Sequence, residues 1–557
     1  MSSTFLIPPP LWTRRIASEL WSGPVTPLTY SLLAEPMAEH MMRRPLQAAG
    51  LDALAAMPAL RHHASHVYVN GALVAETLRL LPAGLRSEGL LGLLPGVARA
   101  GLGSGASWIG GGLRALAIAE RAWRNEPAWA PWERAAAFDR ECIEVRRGFQ
   151  NRGTFGAEPS PRNLRDELVH VAERLGRFLD VVSWGMVFAY VFFHLVHELG
   201  RRWAPGRPED LAALTVGVPG VASLEAHYDL HTLARLFRAE PRVGAAVSAH
   251  DLETAAALLL RDDGGAAARA FRRFLDQHGH RLTGRDLSCP TWAESPAMVV
   301  ELALAAGTDA ALDRAALVER RLAATARFLA AFGGGPTGAA RRAAFGWLLD
   351  YAQRYYALRE NMRYHADFFL ARLRQVVRAL GATLVARGRV AAADDVFWLD
   401  VEELVLALDD PAPLAARIAA RREAAARDAA APPPETLDVA TPPARVGAND
   451  DRVLAGELGA PGRCVGPARI VRDPRDFERV AAGDVLVAVY TDPGWTSVLE
   501  RAAGLVLEAG GILSHGAIVA RELGIPALVG VLDATRRLRD GERLVLDAGA
   551  GTVTREG

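Results

Sequence analysis

The sequence predicts a multidomain α+β protein in which a large, mostly helical domain is followed by a small α/β domain. Three observations predict it. At 557 residues the chain is too long for one ordinary domain, and it is half apolar and 23% charged, as folded globular chains are. Up to about residue 430 it runs in long Ala-, Leu- and Arg-rich segments whose apolar residues recur three and four apart, the helical period. Beyond that point, short Val- and Leu-rich runs bounded by Gly, Pro or Asp have the length and borders of strands.

In chain order, helices are expected over 162–198, 252–278, 312–332 and 339–387, with glycine-rich breaks at 101–112 and 332–338. The stretch 181–196 (VVSWGMVFAYVFFHLV) carries no charge. As a helix it spans only ~24 Å, short of a ~30 Å bilayer core, so it is expected to be buried in protein and not to cross a membrane. The helical domain is assigned to 1–425. Residues 426–452 lose the apolar period and gain a triple proline and a proline pair, the composition of a semi-rigid linker. Residues 453–557 form the α/β domain, with strands expected over 483–491, 503–511, 525–531 and 542–554. One helix is expected over 515–523, stopped by Gly524 and by Pro526 two residues on.

Composition bounds the chemistry. Lys+Arg and Asp+Glu balance at 64 each, so no net field recruits nucleic acid or an anionic membrane. All the cations are arginine; the sequence contains no lysine. That removes a Walker A loop, a kinase strand lysine and any lysine Schiff base, leaving His, Arg, Asp, Glu, Ser and Thr. Cys142, Cys289 and Cys464 are far apart and form no metal or disulfide pattern, which fits a reducing cytoplasm. The N-terminus has no charged region ahead of an apolar core and no small-residue cleavage site, so no signal peptide is expected.

The densest constellation is GGILSHGAIVARELGIPALVG, from Gly510 to Gly530. A strand runs into Gly510 and Gly511, the chain turns, and a helix starts at Ser514 and His515. Ser514 is expected as the N-cap, its hydroxyl accepting from a backbone N–H. His515 then sits in the first turn, where unpaired amides and the helix dipole favour an anion. An exposed imidazole flanked by small residues suits a nucleophile that carries a phosphoryl group. Taken alone, a histidine packed at a strand–helix turn explains the same dipeptide.

The full string resembles the phosphohistidine, or swivelling, domain of the PEP-utilising enzymes. Gly510, Gly511, Ser514 and His515 match its Gly-Gly-x-x-Ser-His start. Ala517, Ile518, Val519, Ala520, Arg521, Glu522, Gly524, Ile525, Pro526 and Ala527 match its continuation. Gly516 departs from the family's frequent alanine and is expected to loosen the helix start. The flanks 491–511 and 540–553 resemble the family as well. The resemblance implies that His515 is transiently phosphorylated and that the domain shuttles between two active sites.

Only residues 531–557 follow, too few for the barrel that binds PEP or pyruvate in the dikinases. The order therefore resembles the rifampicin phosphotransferase group, in which the His domain comes last. Segments 12–33, 67–71, 274–296, 358–365 and 393–404 resemble that group's substrate domain. The group's ATP-binding domain has no counterpart in these 557 residues. The resemblance thus implies a separate ATP-grasp protein as partner and source of ATP-derived phosphate, with Mg2+ mainly at the partner's site.

On the acceptor side, Arg359 and Arg363 in LRENMRYH lie four apart beside Glu360. They form a phosphate clamp in one reading and a salt-bridged solvated face in the other. The resembling group often carries lysine at the place of Arg363. His280 and Arg281 are candidates for a base and a phosphate ligand, or for packing; Arg285 stands where the group usually has glutamate. Thr491 and Asp492 are expected to line the phosphate cavity. No metal site is expected: His194 and His197 read as packing, and Asp394 and Asp395 as a turn or cap before a strand-like FWL. The expected function is a phosphotransferase component in which His515 carries phosphate to a small-molecule acceptor, a hydroxyl on a large or partly apolar compound. The alternative is a non-catalytic binding or regulatory relative that has lost ATP-dependent activity.

Overall fold

The protein is described here by a computed structural model covering residues 9–556 except 18–19, 22, 81–93, 95–116, 123, 126–130, 152–159, 262–264, 307–313, 410–413, 430–432, 438–451, 473 and 492–494. The expected break at 101–112 lies outside the described residues. The body begins with strands β1 (Trp12–Thr13), β2 (Leu60–His63) and β3 (His66–Asn70). Its main helices are α1 (Pro131–Asn151), α2 (Pro161–Trp203), α3 (Ala222–Ala239), α4 (Leu252–Leu260), α5 (Ala266–His278), α6 (Pro296–Ala306), α7 (Arg314–Ala330), α8 (Gly335–Ala386) and α9 (Ala415–Ala429). A last strand, β4 (Thr436–Leu437), returns to pair with β1, placing Leu437 opposite Trp12 in a four-stranded sheet of order β2-β3-β1-β4.

α2 and α8 form the spine. α2 starts where Ser160 accepts from the Asn163 N–H and Pro161 takes the first turn. By length and composition α2 is apolar enough to cross a membrane. Its aromatic side is spent on α8: Phe192 stacks on Tyr351 and Tyr355, with ring centroids 5.2 and 5.7 Å away, and Phe178 meets Phe369 at 5.3 Å.

The structure departs from expectation at three places in the body. The span 252–278 is two helices, because RDDGG at 261–265 combines poor helix formers; Arg261 is extended, with ψ of 154°. Phe397 and Trp398 lie in a short 3-10 helix (Ala393–Trp398), not a strand. Asp395 fixes it by accepting from the Ala391 and Ala392 N–H groups, both at 2.9 Å. α9 runs to Ala429 and β4 joins the body sheet, so two stretches of 426–452 are folded onto the body.

The C-terminal unit holds β5 (Val453–Ala455), β6 (Glu457–Ala460), β7 (Arg463–Val471), β8 (Val485–Ala488), β9 (Gly504–Leu507), α10 (His515–Leu523), β10 (Ala527–Val529), β11 (Arg543–Asp547) and β12 (Thr552–Arg555). They form one eight-stranded sheet of order β5-β12-β11-β7-β8-β9-β10-β6. β7 to β10 run parallel, and the flanks are antiparallel. β8 and β9 are buried throughout, which is why they read as unbroken apolar runs. The span 542–554 is a hairpin, turned at Gly551 with φ of +70°.

Candidate functional site

The turn between β9 and α10 builds the site. Gly510 takes φ of +102°, a backbone that side-chain-bearing residues rarely adopt, and a Cβ on Gly511 would meet nothing within 4 Å. Ser514 holds the N-cap backbone conformation, fixed by the Ile518 N–H donating to its carbonyl at 3.0 Å. The expected cap bond to its hydroxyl is absent. The hydroxyl is buried without a partner, and the first-turn amides are left uncapped.

His515 is not exposed as expected; 7% of it is accessible, because the C-terminal unit is docked on the body with the start of α10 facing α8. Its Nδ1 lies 3.4 Å from Glu360 Oε2. Its Nε2 is buried with no hydrogen-bond partner. Arg359 lies 3.3 Å from Glu360 and donates to the Leu513 carbonyl, two residues before His515. Burial raises the Glu360 carboxyl, but the hydrogen bond from His515 and the charges of Arg359 and Arg521 outweigh it and hold it below the usual range.

Thr491 adds a further buried hydroxyl without a partner. A Cβ on Gly516 would stand 2.5 Å from Thr491 Oγ1 and 2.6 Å from Leu507 Cδ1. A methyl group at Gly516 would therefore require the side chains of Thr491 and Leu507 to shift. Asp492 lies outside the described residues.

An apolar seam surrounds His515. Leu513 and Ile518 pack with Phe193, Val218, Val221, Leu224 and Tyr356 of the body. At the far end of α10, both Glu522 oxygens accept from the Gly217 N–H at 2.9 Å, and burial pushes the Glu522 carboxyl up to about 7.

The remaining candidates lie elsewhere. Arg363 is one turn beyond Arg359, half-buried, with its Nε unpaired. No hydrogen bond or ion pair joins it to His515 among the described residues. His280 stacks on Phe368 with ring centroids 3.5 Å apart, and burial drives its pKa well below the usual value, so it is neutral. Arg281 is buried over Trp292, 4.6 Å from the ring centre. His280 touches α8 at Tyr364 and Phe368, one to two turns past Glu360 and roughly 6–12 Å along the axis, and the charge of Arg281 acts on Tyr364 and Asp367 of the same stretch, not on His515. His197 stacks on Phe193 and His194 packs on Tyr190; burial lowers them to about 3 and about 4, as packed neutral rings require.

Magnesium needs several oxygen ligands. The carboxylate that meets His515 is Glu360, and it is already shared by His515 and Arg359. These residues do not fit a Mg2+ site. The sequence reading missed the docking contacts of Glu522 and Leu513, and it missed His227, His231 and Glu500, which converge across the same interface. His227 and His231 are four apart on α3, a spacing visible in EAHYDLH; Glu500, 269 residues from His231, had no local signal.

Comparison with known proteins finds relatives for both parts of the chain. Residues 480–551 match the family described as PEP-utilising enzyme, mobile domain, and residues 181–360 match the rifampicin phosphotransferase fourth domain. A rifampicin phosphotransferase of Streptomyces sviceus is 30% identical over 354 residues, 59% of this chain and 39% of that protein. An uncharacterized phosphotransferase of Bacillus subtilis, YvkC, is 33% identical over 221 residues, 37% of this chain and 26% of its own length. The phosphoenolpyruvate synthase of Escherichia coli is 41% identical over 102 residues, 17% of this chain and 13% of the enzyme. The chain thus spans less than half the length of each of these relatives.

Proposed function

We propose, from a chain that carries a PEP-utilising enzyme mobile domain and a rifampicin phosphotransferase fourth domain, that His515 is a phosphoryl carrier and that its Nε2 is the atom phosphorylated. The observation that carries this reading is the asymmetry of the imidazole. Nδ1 faces the Glu360 carboxylate, which can only accept, so Nδ1 holds the proton and the Nε2 lone pair is free in a buried site. Glu360 is then a positioning residue that fixes the tautomer.

In the first half-reaction Nε2 attacks the β-phosphorus of ATP, the bridging oxygen leaves with its electron pair on AMP, and water takes the γ-phosphate off as inorganic phosphate, so that one phosphoryl group stays on Nε2. In the second, an acceptor hydroxyl attacks the phosphorus, the N–P bond breaks, its electrons return to Nε2, and the hydroxyl proton is lost to base. The uncapped amides of α10, the unpaired hydroxyls of Ser514 and Thr491, and the Arg359 guanidinium supply positioned charge around the phosphoryl group. The donor is ATP held by a separate ATP-grasp protein that also supplies Mg2+, a reading supported by the lysine-free composition, and the setting is the cytoplasm. The acceptor is a small molecule carrying a hydroxyl, bound by the body on the α8 side; the match of 181–360 to a rifampicin phosphotransferase domain supports that assignment.

The test incubates the chain with an ATP-grasp partner and ATP labelled in the β-phosphate. Acid-labile label on the wild type and none on His515→Ala is expected. Label that persists on His515→Ala ends the carrier reading.

A further inference from the structure

At the seam between the two units, three side-chain atoms converge away from His515. His227 Nε2 and His231 Nε2, on α3 of the body, lie 2.8 and 3.0 Å from the same oxygen, Oε1 of Glu500, and 3.0 Å from each other. Glu500 belongs to the C-terminal unit and directly follows the short helix Thr496–Leu499. The three side chains are 5%, 4% and 8% exposed.

Protons satisfy this triangle poorly. If both imidazoles carry Nε2–H and donate to Glu500, the two N–H groups face each other at 3.0 Å. If one Nε2 is bare, it can accept from the other imidazole's N–H at 3.0 Å, but its lone pair then also faces the Glu500 oxygen at 2.8–3.0 Å. A cation at the centre satisfies all three edges at once. Two histidines four apart on one helix and one carboxylate are a borderline-soft N/O donor set, which suits Zn2+ and not Mg2+ or Ca2+. Zinc bonds of ~2.0–2.1 Å set tetrahedral edges of roughly 3.3 Å, so the atoms need to separate by only about 0.3–0.5 Å.

We propose that His227, His231 and Glu500 bind one Zn2+, with water as fourth ligand, and that this ion latches the C-terminal unit onto the helical body. Two ligands come from one unit and one from the other, so the complete site exists only in the docked arrangement. By linkage, zinc then favours docking, and its removal favours release.

The probe is Zn2+ alone, with no nucleotide or acceptor, so the outcome is independent of whether His515 carries phosphate. Full-length protein stripped with chelator is titrated with ZnCl2, passed through a desalting column and assayed for metal. Wild type is expected to retain one zinc per chain, while His231→Ala and the near-isosteric Glu500→Gln bind at least tenfold more weakly. Thermal melting checks that the variants fold. Co2+ in place of zinc should give a tetrahedral visible spectrum in wild type only. Zinc should also contract the radius of gyration of wild type and leave Glu500→Gln unchanged. Wild type that holds no more zinc than the variants overturns the proposal and leaves a triad held by protons alone; so does zinc retained equally by all three proteins.

Discussion

Glu360 of the helical body reaches His515 of the C-terminal unit, Oε2 to Nδ1 at 3.4 Å, across 155 residues of sequence. The contact sets a carboxylate against Nδ1 and leaves Nε2 buried with no hydrogen-bond partner. Glu360→Gln keeps an oxygen that can accept the Nδ1 proton but removes the charge. Phosphoryl transfer in the docked arrangement is expected to slow by about 10–100-fold, the loss of one buried opposite charge beside the imidazole, or roughly 1.4–2.7 kcal/mol of barrier. Glu360→Asp should recover part of the rate, and the pH–rate profile should shift in the Gln variant, which a packing defect alone would not produce.

Gly516→Ala should destabilise the C-terminal unit even though alanine is the better helix former. The new methyl group would meet Thr491 Oγ1 at 2.5 Å and Leu507 Cδ1 at 2.6 Å. Overpacking of this kind costs about 1–3 kcal/mol and outweighs a propensity gain of at most ~1 kcal/mol. Calorimetry should show the C-terminal transition lowered by several degrees, and Thr491→Ala in the same background should recover only part, because Leu507 remains.

Docking should weaken as pH rises. Burial against Gly217 holds the Glu522 carboxyl at about 7, and release into water returns it to the ordinary carboxylate range. The docked state therefore keeps a proton that the released state loses. The favourable contribution is complete below a pH of ~4.5 and is lost as pH climbs toward 7, on the order of 3 kcal/mol across that window. Small-angle scattering from pH 5 to 8 should show wild type expanding with pH relative to Glu522→Gln, which should be flat through the window.

Phe193→Ala should separate the two half-reactions. Phe193 is 1% exposed and packs with Leu513 and Ile518 around the turn that carries His515. Truncating a buried phenylalanine costs about 3–5 kcal/mol, here divided between the body and its docking seam. Loading of His515 by the donor should persist, while transfer to acceptor should fall at least tenfold. Loss of loading in a folded variant would contradict a seam specific to the acceptor arrangement.

Local features were legible wherever one short stretch of chain determines them. α10 begins at His515 and ends at Gly524 in the left-handed conformation, as the spacing of Ser514, Gly524 and Pro526 requires. β8 and β9 were visible as apolar runs because both faces are covered. β5, β6 and β7 were not, because Gly456, Gly459, Gly466 and Pro467 interrupt the pattern and give those segments the look of loops. FWL at 397–399 was misread because its apolar residues lack a period long enough to separate a strand from a single 3-10 turn.

The sequence by itself determined the strand–turn–helix that presents His515, since glycine geometry, a helix start and a helix stop are properties of consecutive residues. It also narrowed the chemistry, because a chain without lysine must work with arginine, histidine and carboxylates. Only the tertiary structure decided that Glu360 faces the imidazole, that Phe193 and Glu522 lie in the docking seam, and that His227, His231 and Glu500 meet there. These contacts join residues far apart in the chain, and no local periodicity encodes which buried surface will face which. The same burial that hides His515 gives Glu360 its electrostatic hold on it, so the site exists only where the two units come together.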